Sequence, residues 1–253
     1  MDPITIGTAI GTSLLTQFAT KGDSAPIKTL DNLWYLAFGN FNLHIDKMRA
    51  KNNINLEKYK DDIAKEVLAI PDDNLIEPPL SIVGPALEAS KYYIDEEKLR
   101  LMFAKIVASS MDDRKSSYSH PSFVEIIKQL SALDANNLLL FKHGNRLPIL
   151  NLLVKKESGS MIPLLIHGFL NTPEYSDISR MESSLSNLLR LGLVVINYNL
   201  SMKDNNVYDA LEKGKHLQNH MKYLKLNYNY ELSSQKGIIE LTPLGQNFKL
   251  VCL

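Results

Sequence analysis

The chain has 253 residues, 28 Lys and Arg against 28 Asp and Glu, one cysteine and 45% apolar residues, enough apolar material for one or two packed domains. A single cysteine, Cys252, excludes an internal disulfide and a thiolate zinc site, so disulfide scaffolds and zinc ribbons fall away and a cytoplasmic location is expected. Zero net charge removes the broad basic field behind non-specific nucleic-acid affinity and leaves only local patches.

Residues 1–25 are expected to form an amphipathic N-terminal segment, uncharged from Pro3 to Thr20. Between Pro3 and Thr20 no charge occurs, but Thr5, Thr8, Thr12, Thr16, Thr20, Ser13 and Gln17 interrupt any spanning apolar run, and no basic signal-peptide start is present. Read as a helix, it aligns Ile6, Ile10, Leu14 and Phe18 on one face. That face is expected to dock on this protein or a partner; the alternative is a membrane surface, which would make the protein membrane-associated.

A helical domain is expected over residues 26–130. Pro26 suits the first turn of a helix, in which Ile27, Leu30, Trp34, Phe38, Phe41, Ile45 and Met48 recur at threes and fours. Asn52 to Asn55 is expected to end it. Leu56, Tyr59, Ile63 and Val67 then repeat the spacing before Pro71, and Asp72 to Pro79 reads as a connection. Pro85 suggests a kink or a late helix start. Asp95, Glu96 and Glu97 place negative charge at the start of a helix carrying Leu99, Met102, Phe103, Ile106 and Val107. After a polar break from Asp112 to Ser119, His120, Pro121 and Phe123 open another helix with Ile126, Ile127 and Leu130.

Three blocks of this region stand out: IEPPLSIVGPALEAS from Ile76 to Ser90, EEKLRLMFAKIVASSMDD from Glu96 to Asp113, and HPSFVEIIKQLSALDA from His120 to Ala135. In order and spacing they resemble the core of the bacterial abortive-infection alpha (Abi-alpha) family. The resemblance implies a role in phage defence. It rests on packing residues and helix starts, so it implies no catalytic residues.

Residues 131–253 read differently. Asp134 suits the cap of a short helix through Phe141, and the apolar runs 147–155 and 161–169 alternate with the turn residues Pro148, Gly159 and Pro163. Asp177 or Ser179 starts a helix burying Met181, Leu185, Leu188 and Leu189, which Gly192 ends before the strand-like run LVVINYNL. Gly237 to Leu241 is a second strand, and Thr242 with Pro243 starts a final helix. The order resembles a winged-helix α+β domain with an insertion at about 201–235, so the expected fold is mainly α, a helical domain followed by a winged-helix-like one.

Winged helices suggest nucleic acid, but Arg180 and Arg190 on the recognition-helix candidate are balanced by Asp177 and Glu182. In the insertion Lys203, Lys213, Lys215, Lys222 and Lys225 exceed Asp204, Asp209 and Glu212, with Tyr208, Tyr223, Tyr228 and Tyr230 interleaved. This strip is a nucleic-acid or partner contact, or a solvated lysine face.

Catalytic signals are sparse. Arg114 and His120 have the R-x5-H spacing of some helical HEPN-type ribonucleases, in which the His acts as acid or base and the Arg steadies a phosphorane. Pro121 and the Ser-rich run before it place the pair in a loop. His216 and His220 share a helix face with Glu212 but lack a further ligand, so a solvent-facing pair is expected and no metal site. No phosphate-binding glycine loop or nucleophile elbow occurs, and no cofactor is expected. The sequence thus reads as a phage-defence protein that binds a phage or host component without catalysis. A membrane-acting toxic effector and a HEPN-like ribonuclease are the alternatives, and self-association is left open.

Overall fold

In the computed structural model, residues 13–18, 21, 23–39, 46–156, 159–169, 178–213, 218, 222 and 231–253 are described. The chain is mainly helical and divides into two compact units, one of residues 1–132 with 247–253 and one of residues 133–246.

The first unit is built from amphipathic helices. Pro26 lies in the first turn of α1 (Ala25–Phe38), which buries Ile27, Leu30, Trp34 and Phe38, and α2 (Asp46–Leu68) adds Leu56, Tyr59, Ile63 and Val67. The break expected at Asn52 to Asn55 does not exist, because α2 runs through it. Asparagine's weak helix propensity is overridden by tertiary bonding: buried Asn55 donates through Nδ2 to Asp95 Oδ1 at 2.6 Å. That bond also redefines Asp95, expected among the charges opening the next helix. Phe41 and Ile45 lie outside the described residues.

Pro79 precedes α3 (Leu80–Ser90), which accommodates Pro85 in its interior. Next comes α4 (Glu97–Ser110), which packs against α2, α3 and the short helices α5 (Asp113–Ser116) and α6 (Ser122–Lys128). The polar break at Asp112 to Ser119 therefore contains a helical turn, capped by the Asp112 side chain on the Arg114 N–H. Arg100 of α4 donates from Nε to Asp62 Oδ2 at 2.7 Å and from Nη1 to the Ile94 carbonyl, so this buried cation is paired.

Of the N-terminal segment, only Ser13 to Phe18 lies among the described residues up to position 20. It forms a 3-10 turn, Leu14–Gln17, in place of part of the expected helix. Asp31 of α1 explains this geometry: its Oδ1 accepts from Ser13 Oγ at 2.9 Å and from the Leu14 N–H at 2.6 Å.

The second unit contains most of α7 (Ala132–Leu139) and an antiparallel sheet of β1 (Arg146–Lys155), β2 (Met161–Gly168), β3 (Val194–Asn197) and β4 (Glu231–Leu241) in the order β2-β1-β4-β3. It also holds α8 (Ile178–Arg190) and the short α9 (Asp209–Glu212). On one sheet face Leu150, Leu152 and Leu165 pack with Tyr208 and Leu211. Pro148 and Pro163, expected in turns, lie inside strands. Both positions tolerate a missing N–H: Pro148 pairs with Ile238 of β4 beyond the end of the β1–β2 ladder, and Pro163 is on the edge strand β2. The strand expected at Gly237 starts six residues earlier because Glu231 to Lys236 pair along β1, although their polar run gives no strand signal.

Helix α8 ends as expected. Gly192 adopts φ +69°, the Leu193 N–H reaches the Leu188 carbonyl, and the Gly192 N–H reaches that of Leu189, the bonding of a Schellman motif. Thr242 Oγ1 then accepts from the Gly245 N–H at 3.0 Å and caps α10 (Pro243–Cys252), whose later turns belong to the first unit. There Phe248 meets Phe123 edge-on with centroids 5.3 Å apart, and the Val251 carbonyl accepts from Ser109 Oγ.

Candidate functional site

In the second unit a half-buried, hydrogen-bonded cluster of Asn151, His167 and Tyr198 lies where β2 breaks register with β1. From Leu150 to Leu152 the β1 strand advances two residues while its partner moves three, from Gly168 to Leu165, which makes a bulge. His167 stands in that bulge with φ +58°, a left-handed conformation unusual for a side-chain-bearing residue. Bulges redirect side chains, and strained backbone persists only where its surroundings over-determine it.

Asn151 and Tyr198 do so. Asn151 Oδ1 accepts the His167 backbone N–H at 2.9 Å and the Tyr198 hydroxyl at 2.8 Å, and its Nδ2 donates to Gln235 Oε1 at 3.1 Å. The Tyr198 hydroxyl is 2.8 Å from His167 Nδ1, and the two rings lie nearly parallel, 12° apart. Gly237 permits this arrangement, since a Cβ there would come within 2.6 Å of the Tyr198 ring. Glu182 of α8 accepts the N–H of Ile166, next to the histidine, at 2.8 Å.

These bonds fix the protons. The His167 N–H requires an oxygen, so Asn151 cannot present its amide nitrogen there; its Oδ1 only accepts, so Tyr198 must donate to it. The Tyr198 proton being used, the remaining contact needs a proton on His167 Nδ1. The imidazole is therefore the Nδ1–H tautomer, with its acceptor lone pair on Nε2. Burial pushes the His167 pKa below its ordinary value, against the opposing charge of Glu182, and burial raises that of Tyr198. At neutral pH the site presents an uncharged imidazole and an intact phenol.

Arg114 and His120 are separately engaged. Arg114 donates from Nε and Nη2 to the two oxygens of buried Asp112, at 2.8 and 2.6 Å, and its guanidinium holds that carboxyl below the usual carboxylate range. His120 Nδ1 accepts the Ser122 N–H at 3.1 Å and contacts its hydroxyl at 2.7 Å, a ring-mediated cap on α6. A pocket of about 90 Å³ adjoins Asp112, Arg114, Lys115 and Glu66. A larger one of about 400 Å³ is lined by Lys21, Ser24 and Asp72, with Lys21 and Asp72 bridged at 2.8 Å.

Leu14 and Phe18, two of the four expected membrane contacts, are fully buried; Ile6 and Ile10 lie outside the described residues. Arg180 and Arg190 are exposed, Arg190 donating to Asn187 on its own helix. Lys213 pairs with Asp209 at 2.5 Å and Lys222 is exposed, while Lys215, Lys225, His216 and His220 lie outside the described residues. Tyr208, expected among the strip aromatics, is a core residue whose hydroxyl donates to the Gly237 carbonyl. Among the described residues no three metal-ligating side chains converge, and no helix is long and apolar enough to cross a membrane.

The family model for abortive infection alpha matches residues 51–252. The chain belongs to that family. Membership ties this abortive infection alpha protein to abortive-infection-type phage defence. No curated protein matches it. Among solved structures it is similar to an uncharacterized protein from the hydrocarbon-degrading marine bacterium Alcanivorax borkumensis SK2, with 14% identity and a TM-score of 0.32 over 55% of this chain and 94% of the other.

The His167 cluster was not found from the sequence. Asn151, His167, Tyr198 and Gln235 follow no short spacing; the one local signal was a glycine, Gly237, inside a strand, which marks a close approach by another group.

Proposed function

We propose that this abortive infection alpha protein defends cells by binding a phage or host component, without catalysis, in the cytoplasm. The match over residues 51–252 carries the defence reading. Binding is favoured over a HEPN-like ribonuclease because Arg114 is committed to Asp112 and His120 to Ser122. It is favoured over a membrane effector because Leu14 and Phe18 are used in the core. A protein partner is favoured over nucleic acid, since Lys213 is already paired and Tyr208 is internal. The helix, β3, β4, helix order of the second unit supports a winged-helix-like binding module, with β1 and β2 as an added hairpin.

Phage plating efficiency and host growth test the reading in cells expressing the full chain, a version lacking residues 2–12, or the double variant Arg114→Ala, His120→Ala. The deletion leaves Leu14 and Phe18 in place. Protection by all three forms at equal soluble expression is expected. Loss on deletion, together with liposome leakage by the full chain alone, selects the membrane effector; loss in the double variant with intact RNA in infected cells selects the ribonuclease.

A further inference from the structure

The cavity of about 400 Å³ in the first unit lies at the start of α1, where Lys21, Asp23, Ser24 and Pro26 line it together with Asp72 and Leu75 of the α2–α3 connection. Its size is that of a small-molecule site. One wall holds donors without acceptors. Ser24 is the N-cap residue of α1, yet its side chain makes no cap bond and its buried hydroxyl has no partner. The Ser24 carbonyl accepts from the Lys28 N–H, but no described group accepts from the N–H of Ala25 or Ile27, and Pro26 has none to give. No acidic residue stands in the first turn, so the positive end of this 14-residue helix and the orphaned hydroxyl together suit a carboxylate. The opposite sign is supplied by Asp72. Its Oδ1 accepts from Lys21 at 2.8 Å, and no described group bonds its other oxygen. Lys21 is itself largely buried and held by the Ile70 carbonyl. Asp23 is bridged to Lys28 at 3.4 Å. Each carboxylate thus has its own lysine, and the lining offers no net attraction to a phosphate or a bare amine; it rewards a ligand that is neutral overall and carries both charges.

We propose that this cavity binds a free α-amino acid with an apolar side chain. The ligand carboxylate accepts from Ser24 Oγ and the open N–H groups of α1, its ammonium pairs with Asp72, and its side chain lies against Pro26 and Leu75. A serine that capped its own helix would have no hydroxyl proton or orientation to spare for such a ligand, which gives the missing cap bond a purpose. This site is independent of the partner binding proposed above.

The test uses the full chain with L-leucine and L-phenylalanine as probes, followed by calorimetry and by backbone amide shifts. One of the two should bind at a single site per chain and move the amide resonances of Ala25 and Ile27, a readout that needs no variant. For leucine, the analogues lacking the ammonium or the carboxylate should each bind more weakly than the amino acid. Ser24→Ala should weaken binding roughly 10–100-fold, the loss of one hydrogen bond to a charged group, and should leave the melting temperature in place because no bond within the protein is lost. Asp72→Asn should weaken it a few-fold, Asp72 being exposed. Glu66→Gln, in the separate pocket beside Arg114, should leave it unchanged. The proposal is overturned if neither amino acid binds at millimolar concentration, if binding leaves the Ala25 and Ile27 amides in place, if an analogue with a single charge binds as tightly, or if Ser24→Ala lowers the melting temperature and spares binding.

Discussion

Asp112 shows how much one buried carboxylate organises. Its side chain caps α5 and holds both prongs of Arg114, and its backbone is the partner of Leu75 in an isolated antiparallel bridge. Because Arg114 depresses its pKa in the folded chain, the stabilisation is present above the unfolded carboxylate value of about 4 and is lost as pH falls through the lower folded value. Arg114 is half exposed, so solvent screens the pair, and Asp112→Asn should cost about 1 kcal/mol at pH 7. Urea unfolding from pH 7 to pH 2 should show the variant and the parent converging at the acid end. Asp134 is a deeper case. Expected as a helix cap, it lies inside α7 and accepts from Ser184 Oγ and, at 3.0 Å, from Asn187 Nδ2, while Asn137 donates to Ser184 at 2.9 Å. Asp134→Ala strands buried partners and should destabilise the second unit by about 3 kcal/mol in equilibrium unfolding.

Elements held by local rules were legible, and elements held by distant partners were not. Helix α8 with Gly192, and α10 with Thr242 and Pro243, are written in adjacent residues: a periodic apolar face, a left-handed glycine, a hydroxyl cap. The continuity of α2 was hidden because it depends on Asn55 reaching Asp95, forty positions away. The polar half of β4 was hidden because its pairing with β1, not its side chains, makes it a strand. The His167 cluster failed for the same reason, its members being scattered from Asn151 to Gln235. The junction after α8 offers a sharp test. A Cβ on Gly245 would lie 1.9 Å from the Leu193 carbonyl oxygen, and backbone yields less readily than a side chain. Gly245→Ala should therefore meet or exceed the roughly 1–3 kcal/mol of ordinary overpacking, whereas Gly159→Ala, which meets no neighbour, should cost about 1–2 kcal/mol for its positive φ alone. Thermal unfolding of the two variants side by side measures the difference.

At the scale of the molecule, the first unit is discontinuous in sequence, being completed by residues 247–253. Phe248, Val251 and Cys252 are buried, and burial pushes the Cys252 thiol well above its ordinary pKa, so it is an inert core group and not a reactive one. Phe248→Ala should cost about 3–5 kcal/mol, read as a lowered denaturation midpoint. The same arrangement sets a schedule for the living cell. Residues 1–132 leave the ribosome first, yet their last packing partners emerge more than a hundred codons later, on the order of ten seconds at bacterial elongation rates. For that interval the nascent chain carries an unfinished core that Phe248 and Val251 have yet to cover, so a prematurely terminated product would be open to proteolysis.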